Sequence, residues 1–267
     1  MVWFSSRYLA LAAQDLAGSL FDTHVWIALG WQEVQQRYRR SKLGPFWLTI
    51  STGAMVAGMG PLYGRLLNVD LTTYFAYLAT SLVVWQLIAG VVLDSCQAFI
   101  SAESVIKQIK LPLSMQVLRV VWRNLIIFAH NFIIIIVVLV LYPPNFGWHM
   151  LLMPLGLCVL CINAVWIGLA LGMVCARFRD IPQIVQSLLQ LLFFLTPVMW
   201  RADTLGRNVW AANINPLYHF VEIVRTPLLI GPASVMSWAC VGFITIVGWL
   251  LTFAVFARFR GRIAYWV

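Results

Sequence analysis

The stretch "QEVQQRYRRSKLGPFWLTI" (residues 32–50) sets Arg37, Arg39, Arg40 and Lys42 directly before an apolar run that opens with Leu43-Gly44-Pro45-Phe46-Trp47. Four cations in so short a space stand out in a chain of 267 residues with only 10% charged side chains. A water-facing domain carries about a quarter charged residues, so this chain has too few to cover a solvated surface. With 62% hydrophobic residues and 13 Trp, it reads as a membrane protein, and the basic block marks where the chain first enters the bilayer.

The formal charge of +9 does not point to nucleic acid, because the basic residues sit at the ends of apolar runs and form no single stripe. The five cysteines (Cys96, Cys158, Cys161, Cys175, Cys240) lie in apolar surroundings. Cys158 and Cys161 have metal-like spacing, but no polar partners lie nearby, so they read as small buried hydrophobes. Asp15 and Asp22 interrupt the first thirty residues, so a cleaved signal is not expected there.

A helix needs about 20 apolar residues to cross a bilayer. Residues 45–67, 73–93, 124–142, 150–176, 181–200 and 233–257 qualify as spans. In lipid each must be helical, because every backbone amide needs an internal partner. With the amino terminus taken as cytoplasmic, the inner segments hold 14 of the Lys and Arg residues. The outer ones hold only Arg65, Arg201, Arg207 and Arg225. That bias places both termini in the cytoplasm.

Three connecting segments look structured. Residues 19–36 mix Leu20, Phe21, Val25, Trp26, Leu29 and Trp31 with Asp22, His24 and Glu33, the pattern of an amphipathic interface helix. In "SAESVIKQIKLP" (101–112), Glu103 near the start and Lys107 and Lys110 near the end complement a helix dipole, and Pro112 ends it. Such a short cytoplasmic helix between two spans suits docking of a partner. Residues 201–232 are semi-apolar and broken at Asn215-Pro216, and read as two short helices re-entering the outer leaflet. The fold class expected is an all-α integral membrane protein. Residues 1–42 form a cytoplasmic, interfacial segment and 43–267 a six-helix unit.

No G-x-x-x-x-G-K-[ST] phosphate loop occurs in the chain, nor a nucleophile elbow. The one acid placed inside a span, Asp94, lies close to its inner end. The energy for transport is therefore expected from another subunit. Arg119 and Arg123 lie one turn apart near the inner end of the third span, either snorkelling to the interface or pairing with Asp94. Gly60 with Gly64, and Gly168 with Gly172, have the spacing of close helix contacts.

Four blocks carry a family resemblance. "RYRRSKLGPFW" (37–47) resembles the opening of the first span in membrane subunits of polysaccharide ABC exporters, the O-antigen, capsule and teichoic-acid export family. "SVIKQIKLPLSMQVLR" (104–119) is similar to that family's cytoplasmic helix and entry to the third span. "CARFRDIPQIVQSLLQLLFFLTPVMW" (175–200) resembles its fourth-to-fifth span connection, and "NPLYHFVEIVRTPLL" (215–229) its outer re-entrant segment. The resemblance implies a homodimer with two copies of a separate ATP-binding subunit, which holds the ATP and Mg. It also implies a lipid-linked polysaccharide passed outward across a bacterial inner membrane. No cofactor, metal or catalytic residue is expected in this chain.

Residue roles follow as expectations. Arg37, Arg39, Arg40 and Lys42 can fix topology, hold anionic lipid headgroups, or meet the diphosphate of a polyprenyl-linked substrate. Glu103, Lys107 and Lys110 would couple to the ATPase. By the resemblance the first and fifth spans line the path, which brings forward Phe46, Trp47, Tyr63, Phe193, Phe194 and Trp200. Trp47 and Tyr63 at span ends equally suit an interfacial belt, and Phe193 and Phe194, buried mid-span, suit packing somewhat better than a sugar contact. An exporter of drugs or simple lipids shares this topology. An integral-membrane enzyme acting on polyprenyl phosphate would need acids or a metal at the interface.

Overall fold

The computed structural model describes residues 6–39, 46–144 and 147–267, and all regular structure among them is helical. The helices are α1 (Ser6–Phe21), α2 (Thr23–Tyr38), α3 (Phe46–Leu66), α4 (Leu71–Cys96), α5 (Glu103–Gln108) and α6 (Ser114–Leu141), followed by α7 (Leu152–Arg177), α8 (Ile181–Leu195), α9 (Trp210–Asn213), α10 (Pro216–Leu229), α11 (Val235–Phe259) and α12 (Ile263–Trp266).

Four of these are long and apolar enough to cross a membrane: α4, α6, α7 with its leading turn, and α11 with its continuation. The sequence suggested six. The first expected span is present as α3, with 21 residues, but Thr, Ser and Gly dilute its apolar character. The fifth, expected over 181–200, ends as α8 at Leu195 after 15 residues. At 1.5 Å per residue that is about 22 Å, short of a hydrocarbon core of about 30 Å. Thr196 precedes Pro197, whose ring disfavours α geometry in the residue before it. Thr196 is indeed extended, at φ −90° and ψ 136°. The third span starts at Ser114, well before the expected residue 124, so Arg119 and Arg123 belong to its first turns.

Helix α4 forms the centre of the bundle. Residues 76–85 are buried without a break, as expected of a helix apolar on all sides, and α3, α6, α7, α8 and α10 pack around it. The glycine pairs lie at these contacts. A Cβ on Gly60 would meet Phe75 at 2.4 Å, and one on Gly168 would meet Val117 at 2.4 Å, so a side chain at either would push helices apart.

The amino-terminal segment differs from the single helix expected over 19–36. It forms two helices, α1 and α2, broken at Asp22, whose backbone is non-helical at φ −86° and ψ 44°. Helix α1 rests on α6 and α11. The helix expected over 101–110 is α5, shorter at both ends, with Lys110 just beyond it. The break at Asn215-Pro216 is as read: the Asn215 side chain accepts from Leu217 N–H at 3.0 Å, and Pro216 occupies the first turn of α10. Helix α4 runs from a far end, where residues 197–201 meet Tyr74 and Tyr77, to a near end, where Asp94 meets α6. Helix α1 and the end of α11 also meet at the near end.

Candidate functional site

The near end carries a network of ion pairs built on α2, α4 and α6. Arg119 contacts Glu33 at 2.9 Å, and Arg123 bridges Glu33 and Asp94, the latter at 2.8 Å. Asn124 donates to Asp94 at 2.9 Å and to its own helix at the Val120 carbonyl. Arg37 lies 3.9 Å from Asp94. Of the two arginines considered for Asp94, then, Arg123 takes it and Arg119 goes to α2. The side chains of Arg119 and Arg123 are 10% and 14% exposed, whereas Arg37 is 48% exposed. Three cations share two carboxylates, and the outermost cation is the loosest.

Close packing makes this network possible. A Cβ on Gly30 would lie 2.9 Å from the Trp122 ring and 3.2 Å from the Arg119 carbonyl, so only glycine lets α2 approach α6 here. Trp26 meets Trp122 edge-on at 6.1 Å. Arg39 is exposed; Arg40 and Lys42 lie outside the described residues.

A second charged group, invisible in the sequence pattern, sits under α1. Asp15 is 3% exposed and accepts from the backbone N–H of Leu113 at 3.0 Å and of Ser114 at 2.9 Å. It also accepts from the Ser114 hydroxyl at 2.7 Å and from Arg260 Nε at 2.7 Å. The carboxylate thus caps α6 from another helix, placing negative charge at its positive end. It also ties α1 to the end of α11.

On α5, Lys107 donates to Glu103 at 2.7 Å and to the Val267 carbonyl at 2.8 Å. The hydrogen bond from Lys107, and then its charge, hold the Glu103 carboxyl below the usual carboxylate range. Lys110 is exposed. Glu103 and Lys107 are joined with the carboxy-terminal residues on one exposed surface.

The expected path aromatics divide. Phe46 and Trp47 at the start of α3 are 52% and 57% exposed, with His130 edge-on to Phe46 at 5.7 Å. Tyr63 is half-buried against the α4 cluster. Phe193 packs on Trp85 at 5.6 Å. Phe194, expected to be buried mid-span, is instead 62% exposed, because α8 turns that side outward from α4. Trp200 is half-buried and donates to the Phe194 carbonyl at 3.0 Å.

The far end holds a cluster that the residue reading passed over. Arg225 of α10 is 2% exposed, pairs with Glu222, and donates to Ser81 Oγ at 2.8 Å and the Pro197 carbonyl at 2.7 Å. Its guanidinium lies 4.2 Å from the centre of the Tyr77 ring. Tyr77 in turn reaches the carbonyls of Pro197 and Trp200. The Glu222-x-x-Arg225 spacing on an amphipathic helix was the available signal.

Residues 24–229 match the family described as ABC-2 type transporter, well over half of the chain. The chain belongs to that family. It is a family of transporter permeases and not of enzymes. Two relatives from Klebsiella pneumoniae, each called "O-antigen export system permease protein RfbA", are 24% identical over 257 and 254 residues, covering 92% of this chain and 95% of theirs. One from Myxococcus xanthus with the same description is 24% identical over 195 residues, 72% of this chain and 75% of its own. The ABC-2 match begins in α2 and ends with α10, so it takes in Glu33, Asp94, Arg123, α5 and the Arg225 cluster. The Asp15–Arg260 tie of this transporter joins residues on either side of the matched region.

Proposed function

We propose that this ABC-2 transporter chain is the membrane subunit of an ATP-driven exporter that moves a lipid-linked surface polysaccharide of O-antigen type out across the inner membrane. The observation that carries this reading is end-to-end similarity to O-antigen export permeases, over 92% of this chain and 95% of theirs. In this reading α3 and α8 complete a six-span unit over residues 43–267, with 1–42 interfacial and both termini cytoplasmic. Two copies assemble with two ATP-binding subunits, which hold ATP and Mg. The half-exposed position of Arg37 beside Asp94 supports a role for the 37–42 block, with Arg39, Arg40 and Lys42, in meeting the substrate diphosphate. Arginine suits that task because its planar fork pairs two phosphate oxygens at once. The exposed faces of Phe46, Trp47 and Phe194 support a sugar track, joined by Tyr63, Phe193 and Trp200 at its edges. Helix α5, with Glu103, Lys107 and Lys110, is the docking element for the ATPase.

Deleting the gene tests the reading. Surface polysaccharide should disappear, lipid-linked glycan should accumulate on the inner side, and the intact chain should restore export. Unchanged surface polysaccharide in the deletion strain would refute the function. Exchanging the charges of Glu103 and Lys107 should weaken co-purification of the ATPase or uncouple hydrolysis from export; normal pull-down and export would remove α5 from the interface. The track is tested by single-cysteine labelling with a membrane-impermeant thiol reagent. If positions 47, 63, 193 and 200 all stay unlabelled through ATP turnover, the track runs elsewhere.

A further inference from the structure

Two cavities between α7 and α11 share walls and differ in character. One, of about 280 Å³ at the near end, has Arg177 and Arg262 among its lining residues. The other, of about 430 Å³, runs on toward Trp166 and Phe243 and carries no charged side chain. Val174 and Val255 line both, so the two form one groove with a basic head and an apolar tail. No acidic side chain lines either part. The two arginines are held over aromatic rings: Arg177 lies 5.3 Å from the Trp266 ring centre, and Arg262 lies 5.8 Å from that of Phe259. Neither makes an ion pair among the described residues. Their charge therefore meets no carboxylate in the groove. The tail faces outward, with Phe243 68% and Leu251 64% exposed.

The dimensions fit one leaflet. From Phe259 at the head to Ile244 along the tail is fifteen residues of helix, about 22 Å at 1.5 Å per residue. Half of a bilayer of about 40–45 Å, headgroups included, is the same length. A groove with two cations at the interface and an apolar channel of leaflet depth has the chemistry of a phosphate headgroup followed by acyl chain.

We propose that this groove binds an anionic phospholipid of the surrounding leaflet, with its phosphate between Arg177 and Arg262 and one acyl chain along α7 and α11. Charge complementarity selects the anionic lipid over a zwitterionic one, because no acid is present to receive an ammonium group. The site lies on other helices than the 37–42 block, and it requires only that the chain spans a membrane, so it stands apart from the export reading.

Native mass spectrometry of the purified full-length protein tests it, with phosphatidylglycerol and phosphatidylcholine as probes. The wild type should retain one phosphatidylglycerol per chain in preference to phosphatidylcholine. Arg177→Gln with Arg262→Gln should weaken retention about thirtyfold, from two lost headgroup contacts. The Arg→Lys pair should largely keep it, and Leu251→Trp, which fills the tail, should reduce it with the arginines intact. Equal retention of phosphatidylglycerol by wild type and the Gln pair overturns the proposal. So does retention of undecaprenyl diphosphate alone, which would make the groove a substrate site. Cross-linking between copies through Leu251→Cys, in a chain stripped of native cysteines, would assign the groove to a protein and overturn it equally.

Discussion

At the near end of the bundle three arginines share two carboxylates, and Arg37 holds Asp94 only at 3.9 Å with half of its side chain exposed. At the far end Arg225 is buried and bonded to Glu222, Ser81 and the Pro197 carbonyl, with the Tyr77 ring against its face. The far cluster is saturated, and fixes α10 and the 196–201 turn to α4. The near network has a surplus cation and an accessible edge, so its contacts can be exchanged for those of an anion. Both ends use arginine, but only the near one leaves it a choice of partner.

The sharpest way to break this contrast is Arg225→Met. It removes a buried guanidinium with four partners and leaves the half-buried Glu222, among the described residues, only the Thr226 hydroxyl, a loss of about 3 kcal/mol, the low end for breaking a buried pair. The expected outcome is a large fall in thermal midpoint in detergent and poor recovery of assembled protein. Arg225→Lys should rescue little, since one ammonium cannot replace a two-pronged fork. A stable Arg225→Met protein would show that the far cluster does not hold α10 and the 196–201 turn to α4.

Arg123→Gln should cost less, about 1–3 kcal/mol for lost charged hydrogen bonds, because Arg119 and Arg37 remain beside Glu33 and Asp94. Its signature should be local: faster proteolysis within α2, with the spans still protected. Arg37→Gln should change stability by less than about 1 kcal/mol, as for an exposed pair, yet reduce export of the lipid-linked glycan several-fold. Normal export by that variant would end the case for Arg37 as a headgroup contact.

The smallest effect concerns α5. Because Lys107 depresses the Glu103 carboxyl, the pair is intact at neutral pH. Its contribution is lost only as pH falls through that lowered value. Carbon NMR of labelled glutamate should give Glu103 a midpoint below the ordinary 4.5. A midpoint at or above it means that the bond to Lys107 does not persist in solution.

Much of the fold was legible in the apolar runs and the Asn215-Pro216 break, because membrane burial and turn chemistry are local constraints. What escaped depended on partners far away in sequence. Asp15 reads as an interruption of an apolar stretch, and only the fold reveals the backbone N–H groups it meets ninety-odd residues later. Arg119 and Arg123 share a helix face, and nothing local says that Glu33 claims the first and divides the second. The early stop of α8 did have a local signal in Thr196-Pro197, outweighed by the apolar run around it. The path and coupling roles proposed above rest on contacts between molecules, which no local pattern in one chain encodes.

The Asp15 tie also has a consequence for how the chain is made. The ribosome delivers Asp15 early, Leu113 and Ser114 much later, and Arg260 last, 245 positions downstream. Through most of synthesis this carboxylate lacks its cation, and the face of α1 that carries it stays unclosed. Arrival of Arg260 completes the set, so the contact that closes α1 onto the bundle can form only after the whole stretch between the two residues has been synthesised.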